Sequence, residues 1–280
     1  MQQTPCGLIY QLFTVCVGDD LLEIAKGTLS CLVLLAACSI LMIIMLYAAR
    51  KGRVPKIRKI PAVDAIDEAI GRATEMGRPV HYSTGTGDFY GYDAMVTIAG
   101  ISVLGYVAKK IAQYNTPLIV TFMSPEVEPV VADVVKQAYL AAGRPDAFKP
   151  DMIRFISQRQ FAYATGVIGI LNREKVAANV MIGHFMGEAM IIAEAGYMAG
   201  AVQIGGTANT IQLPFFVAAC DYTLISEEVY AAGAYLSKDP LQLGAVAGQD
   251  WARLVGVVLI GIGTILATLG VTWVADILKL

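Results

Sequence analysis

Residues 251–276 read WARLVGVVLIGIGTILATLGVTWVAD, and no ionisable side chain falls between Arg253 and Asp276. The chain's two tryptophans, Trp251 and Trp273, stand near the ends of this run, 22 positions apart. At a helical rise of ~1.5 Å that separation is roughly 33 Å, close to the hydrocarbon thickness of a bilayer. An amphipathic indole favours the membrane–water boundary. A second uncharged run, Leu29 to Ala49, lies near the other end and passes directly into Arg50, Lys51, Arg53, Lys56, Arg58 and Lys59. The pattern predicts two transmembrane helices, residues 29–49 and 251–275, holding a central domain over residues 61–250.

Charge asymmetry sets the expected orientation. Six positive charges in residues 50–59 mark the cytoplasmic side of the first span and suit anionic lipid head groups. Segment 50–60 is then a basic juxtamembrane linker, and segments 1–28 and 276–280 lie outside a prokaryotic cytoplasmic membrane. A cleaved signal peptide would need a positive leader and a shorter apolar core. Here Asp19, Asp20 and Glu23 precede the run, so the sequence favours a retained anchor.

Residues 60–253 hold 13 basic and 19 acidic side chains. That balance excludes a nucleic-acid domain, which needs a basic face to displace counterions. The five cysteines form no CxxC or Cys/His grid, so neither a metal centre nor any other cofactor is expected. Cys6 and Cys16 face the oxidising side, and their spacing leaves a disulfide between them open.

Within the central domain, short apolar runs alternate with small polar loops and helical segments. Pro61 opens a helix that Gly77 closes. Strands are expected at residues 80–82, 117–123, 152–156, 177–182, 201–204 and 215–224, with helices at 93–113, after Ser124-Pro125-Glu126, after Ser157, at 187–198 and after Ser226. Near-continuous apolar strands alternating with helices predict a Rossmann-like α/β fold, a largely parallel sheet sandwiched by helices. The uncharged stretch Ala94–Ala108 is short for a span and is expected to be buried against the sheet.

Ligands of such sheets bind outside the carboxyl ends of the strands. The expected strands place His81, Ser83, Thr84, Thr86, Ser124, Ser157, His184, Thr207, Asn209 and Asp221 there. Of these, His81, Ser83, Thr84, Thr86, His184, Thr207 and Asp221 are the candidate ligand-binding residues, although small polar residues also fill such loops simply to cap helices. Gly85-Thr86-Gly87 with Gly91 has the shape of a phosphate loop. It is one residue longer than the dinucleotide fingerprint, and Asp88 and Asp93 oppose an anion. No P-loop motif and no G-x-S-x-G elbow is present. His184 and Glu188 would share a helix face if the helix started early enough, but no third metal ligand accompanies them. Gly256, Gly263 and Gly270, with Ala267 on the same stripe, give the second span a smooth face for a close helix contact, with the first span or another subunit.

The stretches Gly187–Gly196, Gln212–Thr223 and Gln249–Trp251 resemble a family of uncharacterised prokaryotic two-pass membrane proteins, catalogued as a domain of unknown function. The resemblance covers most of residues 50–270 and implies two spans, but no activity, cofactor or site residue. These observations lead to a membrane-anchored, non-catalytic scaffold that forms a homo-oligomer or binds a membrane-complex partner, with the lipid bilayer as its other contact. A nucleotide- or phosphate-binding sensor or hydrolase, and an accessory subunit of a transporter, are the alternatives.

Overall fold

The structure, a computed structural model, describes residues 28–51, 60–237 and 240–270. It divides into two compact units, one of the two terminal helices and one spanning Lys56–Asp239. Arg53, Lys56, Arg58, Lys59, Cys6, Cys16 and Trp273 lie outside the described residues.

The second unit is a three-layer α/β domain. Its first helix, α2 (Pro61–Met76), has proline in its first turn and ends at Gly77, whose φ of 62° is the left-handed conformation that glycine adopts without strain. Ala62, Val63, Ile66, Ala69, Ile70 and Ala73 form its buried stripe at helical spacing. Six strands follow: β1 (Val80–Gly85), β2 (Leu118–Phe122), β3 (Ile153–Phe155), β4 (Ala178–His184), β5 (Val202–Thr207) and β6 (Tyr222–Ile225). All neighbouring strands pair in parallel, in the order β3-β2-β1-β4-β5-β6. The chain therefore starts at the centre, winds outward to β3, crosses back to β4 and winds outward again. Every residue of β1, β2 and β4 is buried, so none alternates between core and solvent; most of β2 and β4 is apolar, while β1 buries His81, Ser83 and Thr84.

Each sheet face has its own core. On one side α2, α3 (Ala94–Tyr114), α4 (Glu128–Ala141) and α8 (Glu227–Ser237) cover Tyr82, Val120, Phe122 and Val180. On the other, α5 (Gln160–Glu174), α6 (Glu188–Met198) and α7 (Leu213–Ala219) enclose Met181 and Phe185. The length and hydropathy of α3 are sufficient for a membrane span, yet 56% of its most apolar window is buried inside the domain. At Gly100 it lies so close to β4 that a Cβ would strike the Ile182 carbonyl. It is a core helix, as the shortness of its uncharged stretch Ala94–Ala108 suggests.

Two expectations fail. Residues 215–224 do not form one strand: Leu213–Ala219 is helical and β6 begins only at Tyr222. A short apolar run carries no period to separate the two states, and the early Pro214 fits a first helical turn better than a central strand. His184 and Glu188 do not share a helix face either, because His184 ends β4 and α6 starts at Glu188.

In the other unit, α1 (Thr28–Arg50) packs against α9 (Pro240–Thr268). The closest approach is at Gly244 and Gly248. A Cβ on Gly244 would come within 2.7 Å of the Ala49 Cβ, and one on Gly248 within 3.3 Å of the Met42 Cα. Such small-xxx-small spacing lets two helix backbones meet. Added Cβ atoms at Gly256 and Gly270 would meet nothing within 4 Å. Ala267 is exposed and Gly263 half-buried. The contact with α1 thus lies upstream of the expected stripe. Arg50 is exposed, and the Lys51 ammonium sits 4.6 Å above the Tyr47 ring.

Candidate functional site

The strand order reverses between β1 and β4, and glycine joins their carboxyl ends. A Cβ on Gly85 would collide with the His184 carbonyl and one on Gly183 with that of Thr84, so only bare backbone fits. The Thr86 N–H donates to the His184 carbonyl at 2.8 Å. Around this seam lie several of the expected residues. Thr84 is fully buried, Thr86 nearly so, and the Thr86 hydroxyl reaches the His184 carbonyl at 3.4 Å. The His184 ring meets Tyr92 edge-to-face at 5.5 Å. On the next strand, Thr207 Oγ1 accepts the Asn209 N–H, and Asn209 Nδ2 donates to the Phe185 carbonyl at 3.1 Å, tying the β5 loop to the β4 loop.

Others sit elsewhere. Asp221 precedes β6, so it lies at the amino end of the sheet, where its Oδ2 accepts the Gln203 N–H at 2.8 Å. Its expected placement depended on a strand over residues 215–224, whereas β6 begins only at Tyr222. His81 is the second residue of β1 and is buried within the sheet rather than at its edge. Ser124 donates to Glu126, and Ser157 accepts the Arg159 N–H, which are local loop contacts.

The glycine loop does not present a phosphate cradle. Asp88 Oδ1 accepts the N–H groups of Tyr90 and Gly91, and Asp93 Oδ2 accepts that of Asp88 at 3.4 Å. Amides that would otherwise bind an anion are turned onto the loop's own carboxylates. Among the described residues, no group of three His, Cys, Asp or Glu side chains is placed to hold a metal ion.

A buried polar chain runs across the sheet beneath this edge. Gln203 Nε2 donates to the Ala193 carbonyl, which only accepts, and this fixes every later bond. Gln203 Oε1 must then accept from Asn179 Nδ2 at 2.7 Å, and Asn179 Oδ1 from His81 Nδ1–H at 2.7 Å. His81 Nε2 is left as the acceptor of the Thr121 hydroxyl at 2.9 Å. Thr121 in turn receives Tyr163 at 3.3 Å, and Tyr163 receives Ser83 at 2.6 Å, while Ser83 accepts the Gly85 N–H. A neutral His81 completes the chain. Burial, opposed by the Asn179 bond and aided by the Arg154 charge, lowers its pKa to about 4. Burial likewise pushes the Tyr163 phenol up to about 12. Glu188, also buried, accepts from Gln160 Nε2 and the Met186 N–H. The network partners Thr121, Tyr163, Asn179 and Gln203 escape sequence reading, although Asn179 and Gln203 do interrupt apolar strands.

This arrangement contains a satisfied internal network and an acidic loop, and the Thr121 hydroxyl that donates to His81 is fully buried within that network. Residues 19–278 match the family model of DUF6754, a domain of unknown function. The chain belongs to this family. Comparison with characterised proteins and with solved structures finds no match. The DUF6754 match includes α1, the α/β domain and all of α9.

Proposed function

We propose that this protein is a membrane-anchored, non-catalytic assembly protein. Its terminal helices span a prokaryotic cytoplasmic membrane, and its Rossmann-like domain self-associates in the cytoplasm through α6 and α7. The observation that carries this reading is that α6 is apolar on both sides. Ala189, Ile192, Ala193 and Ala195 face the core, while Met190, Ile191, Tyr197 and Met198 are 51%, 40%, 75% and 76% exposed. A helix that is hydrophobic all round belongs in an interior, and an exposed contiguous patch marks an interaction surface. Phe215 and Val217 of α7 extend the patch.

A second copy is the occupant that best suits this face. In a two-fold contact a residue close to the axis lies near its own symmetry mate, so a charge there is repelled. Glu194 is the only charged residue on the outward face of α6, and α7 has none. The anchoring half of the proposal is supported by α9, whose most apolar 18 residues are unburied, and by its packing on α1. Mass photometry of the full chain in detergent should show an oligomer that Met190→Glu and Val217→Glu dissociate. A monomeric wild type, or an oligomer unchanged by both substitutions, refutes self-association through this face. Reporters fused near residues 100 and 280 should lie on opposite sides of the membrane.

A further inference from the structure

Among the described residues, three buried side-chain polar atoms have no hydrogen-bond partner: Thr84 Oγ1, His184 Nε2 and Gln212 Oε1. Buried polar atoms are nearly always paired, so each orphan requires a cause. The long network through His81 shows that this domain satisfies its polar groups elsewhere. All three orphans lie toward the carboxyl edge of the sheet. Thr84 is next to last in β1, His184 is last in β4, and Gln212 lies in the connection from β5 to α7. This is also where the strand order reverses, the place where open parallel sheets bind ligands.

The chemistry of the surroundings selects the ligand. Connections 86–93, 185–187 and 208–212 contain no lysine or arginine, whereas Asp88 and Asp93 stand in the first. The amides of Asp88, Tyr90 and Gly91 in that loop are already held by these carboxylates, whose charge opposes an anion. Gln212 Oε1 accepts only, and the Thr84 hydroxyl and His184 Nε2 can each accept. Gln212 Oε1 requires a donor, and a partner that brings several donors satisfies all three. Tyr90 and Tyr92, 83% and 84% exposed in the same loop, add ring faces suited to a cation, with Tyr92 against the His184 ring.

We propose that the β1–β4 crevice binds a small organic amine, held by Thr84, His184 and Gln212 as acceptors and by Asp88 and Asp93 as counter-charges. This site is independent of the oligomer contact on α6 and α7, so either can fail without the other.

The test is isothermal titration of the full chain in detergent with putrescine and spermidine, and separately with ATP and inorganic phosphate. Saturable binding of an amine and none of the phosphates is expected. His184→Phe, which keeps a ring against Tyr92, and Thr84→Val, which keeps the shape, should each weaken amine binding by ~10-fold or more, the loss of one charge-assisted hydrogen bond. Without amine, Thr84→Val should melt no lower than the wild type, because it removes an orphaned hydroxyl. If Thr84→Val instead melts lower, the hydroxyl is already satisfied by the fold and the proposal fails. No saturable amine binding, amine binding that both variants retain at full strength, or preferential binding of ATP or phosphate would each overturn it.

Discussion

His81 makes the stability of the domain depend on pH in a calculable way. Its folded pKa is about 4, against the ordinary histidine value near 6.5 that an unfolded chain shows. Between these values the unfolded chain binds a proton that the folded chain refuses, because the ring is buried and its Nε2 already accepts from Thr121. Stability from this residue is therefore complete above pH 6.5 and drains away as the pH falls to about 4. A gap of about 2.5 pH units at about 1.4 kcal/mol each is roughly 3 kcal/mol, a large part of a typical stability of ~5–15 kcal/mol. The control is His81→Gln, which cannot titrate and whose carboxylates match those of the wild type. Urea unfolding of both, followed by circular dichroism in steps from pH 7.5 to 4, gives two curves whose difference isolates the ring. The wild type should be the more stable at pH 7.5, and its advantage should shrink by roughly 3 kcal/mol by pH 4. Parallel curves would mean that His81 is not held neutral, and the directed chain from Gln203 to Ser83 would be wrong.

Two further substitutions test packing. Gly196→Ala would drive a Cβ into the Gln203 and Asn179 amides, so it should lower stability by about 2–4 kcal/mol through two displaced buried amides, read as a lower melting temperature. Gly244→Leu should separate α1 from α9, because Ala49 and the Met45 carbonyl occupy the space, whereas Gly256→Leu should leave that pair intact. Disulfide trapping between cysteines placed at residues 45 and 248, where a Cβ on Gly248 would lie 3.5 Å from the Met45 Cβ, would report the difference. Equal trapping efficiency in both variants would show that the helices meet elsewhere.

The sheet was legible because burial on both faces leaves no alternation: most of Leu118–Phe122 and Ala178–His184 is apolar because helices cover each side. The ends of α2 were legible for a local reason, since Pro61 and Gly77 act through backbone conformation alone. Residues 213–219 were not, because seven apolar residues satisfy a buried strand and a short helix equally, and only the packing of Phe216 against Phe185 decides. The same limit applied to α9. Tryptophans and missing charges locate a run of bilayer length, but which glycines meet another helix depends on the partner's path, and α1 passes Gly244 and Gly248.

The site divides along the same physical line. Thr84, Thr86, His184 and Thr207 follow from where strands end, and strand ends follow from local sequence. Asp221 was misplaced through an error of register in a single strand, which carried it from one edge of the sheet to the other. His81 shows the deeper obstacle. A histidine near a strand start looks like a loop residue until Asn179 and Thr121 are known to flank it, and each belongs to a different strand, 98 and 40 positions away. The cost of burying one of these groups is set by its partners, so no one of them signals its role alone. Read together, a histidine, an asparagine and a glutamine in three apolar strands, with a threonine in a fourth, are one cross-sheet chain ending under the β1–β4 seam. That chain satisfies the polar side chains beneath the seam, while Thr84 Oγ1 and His184 Nε2 have no hydrogen-bond partner, and the contrast is what a reading of single residues misses.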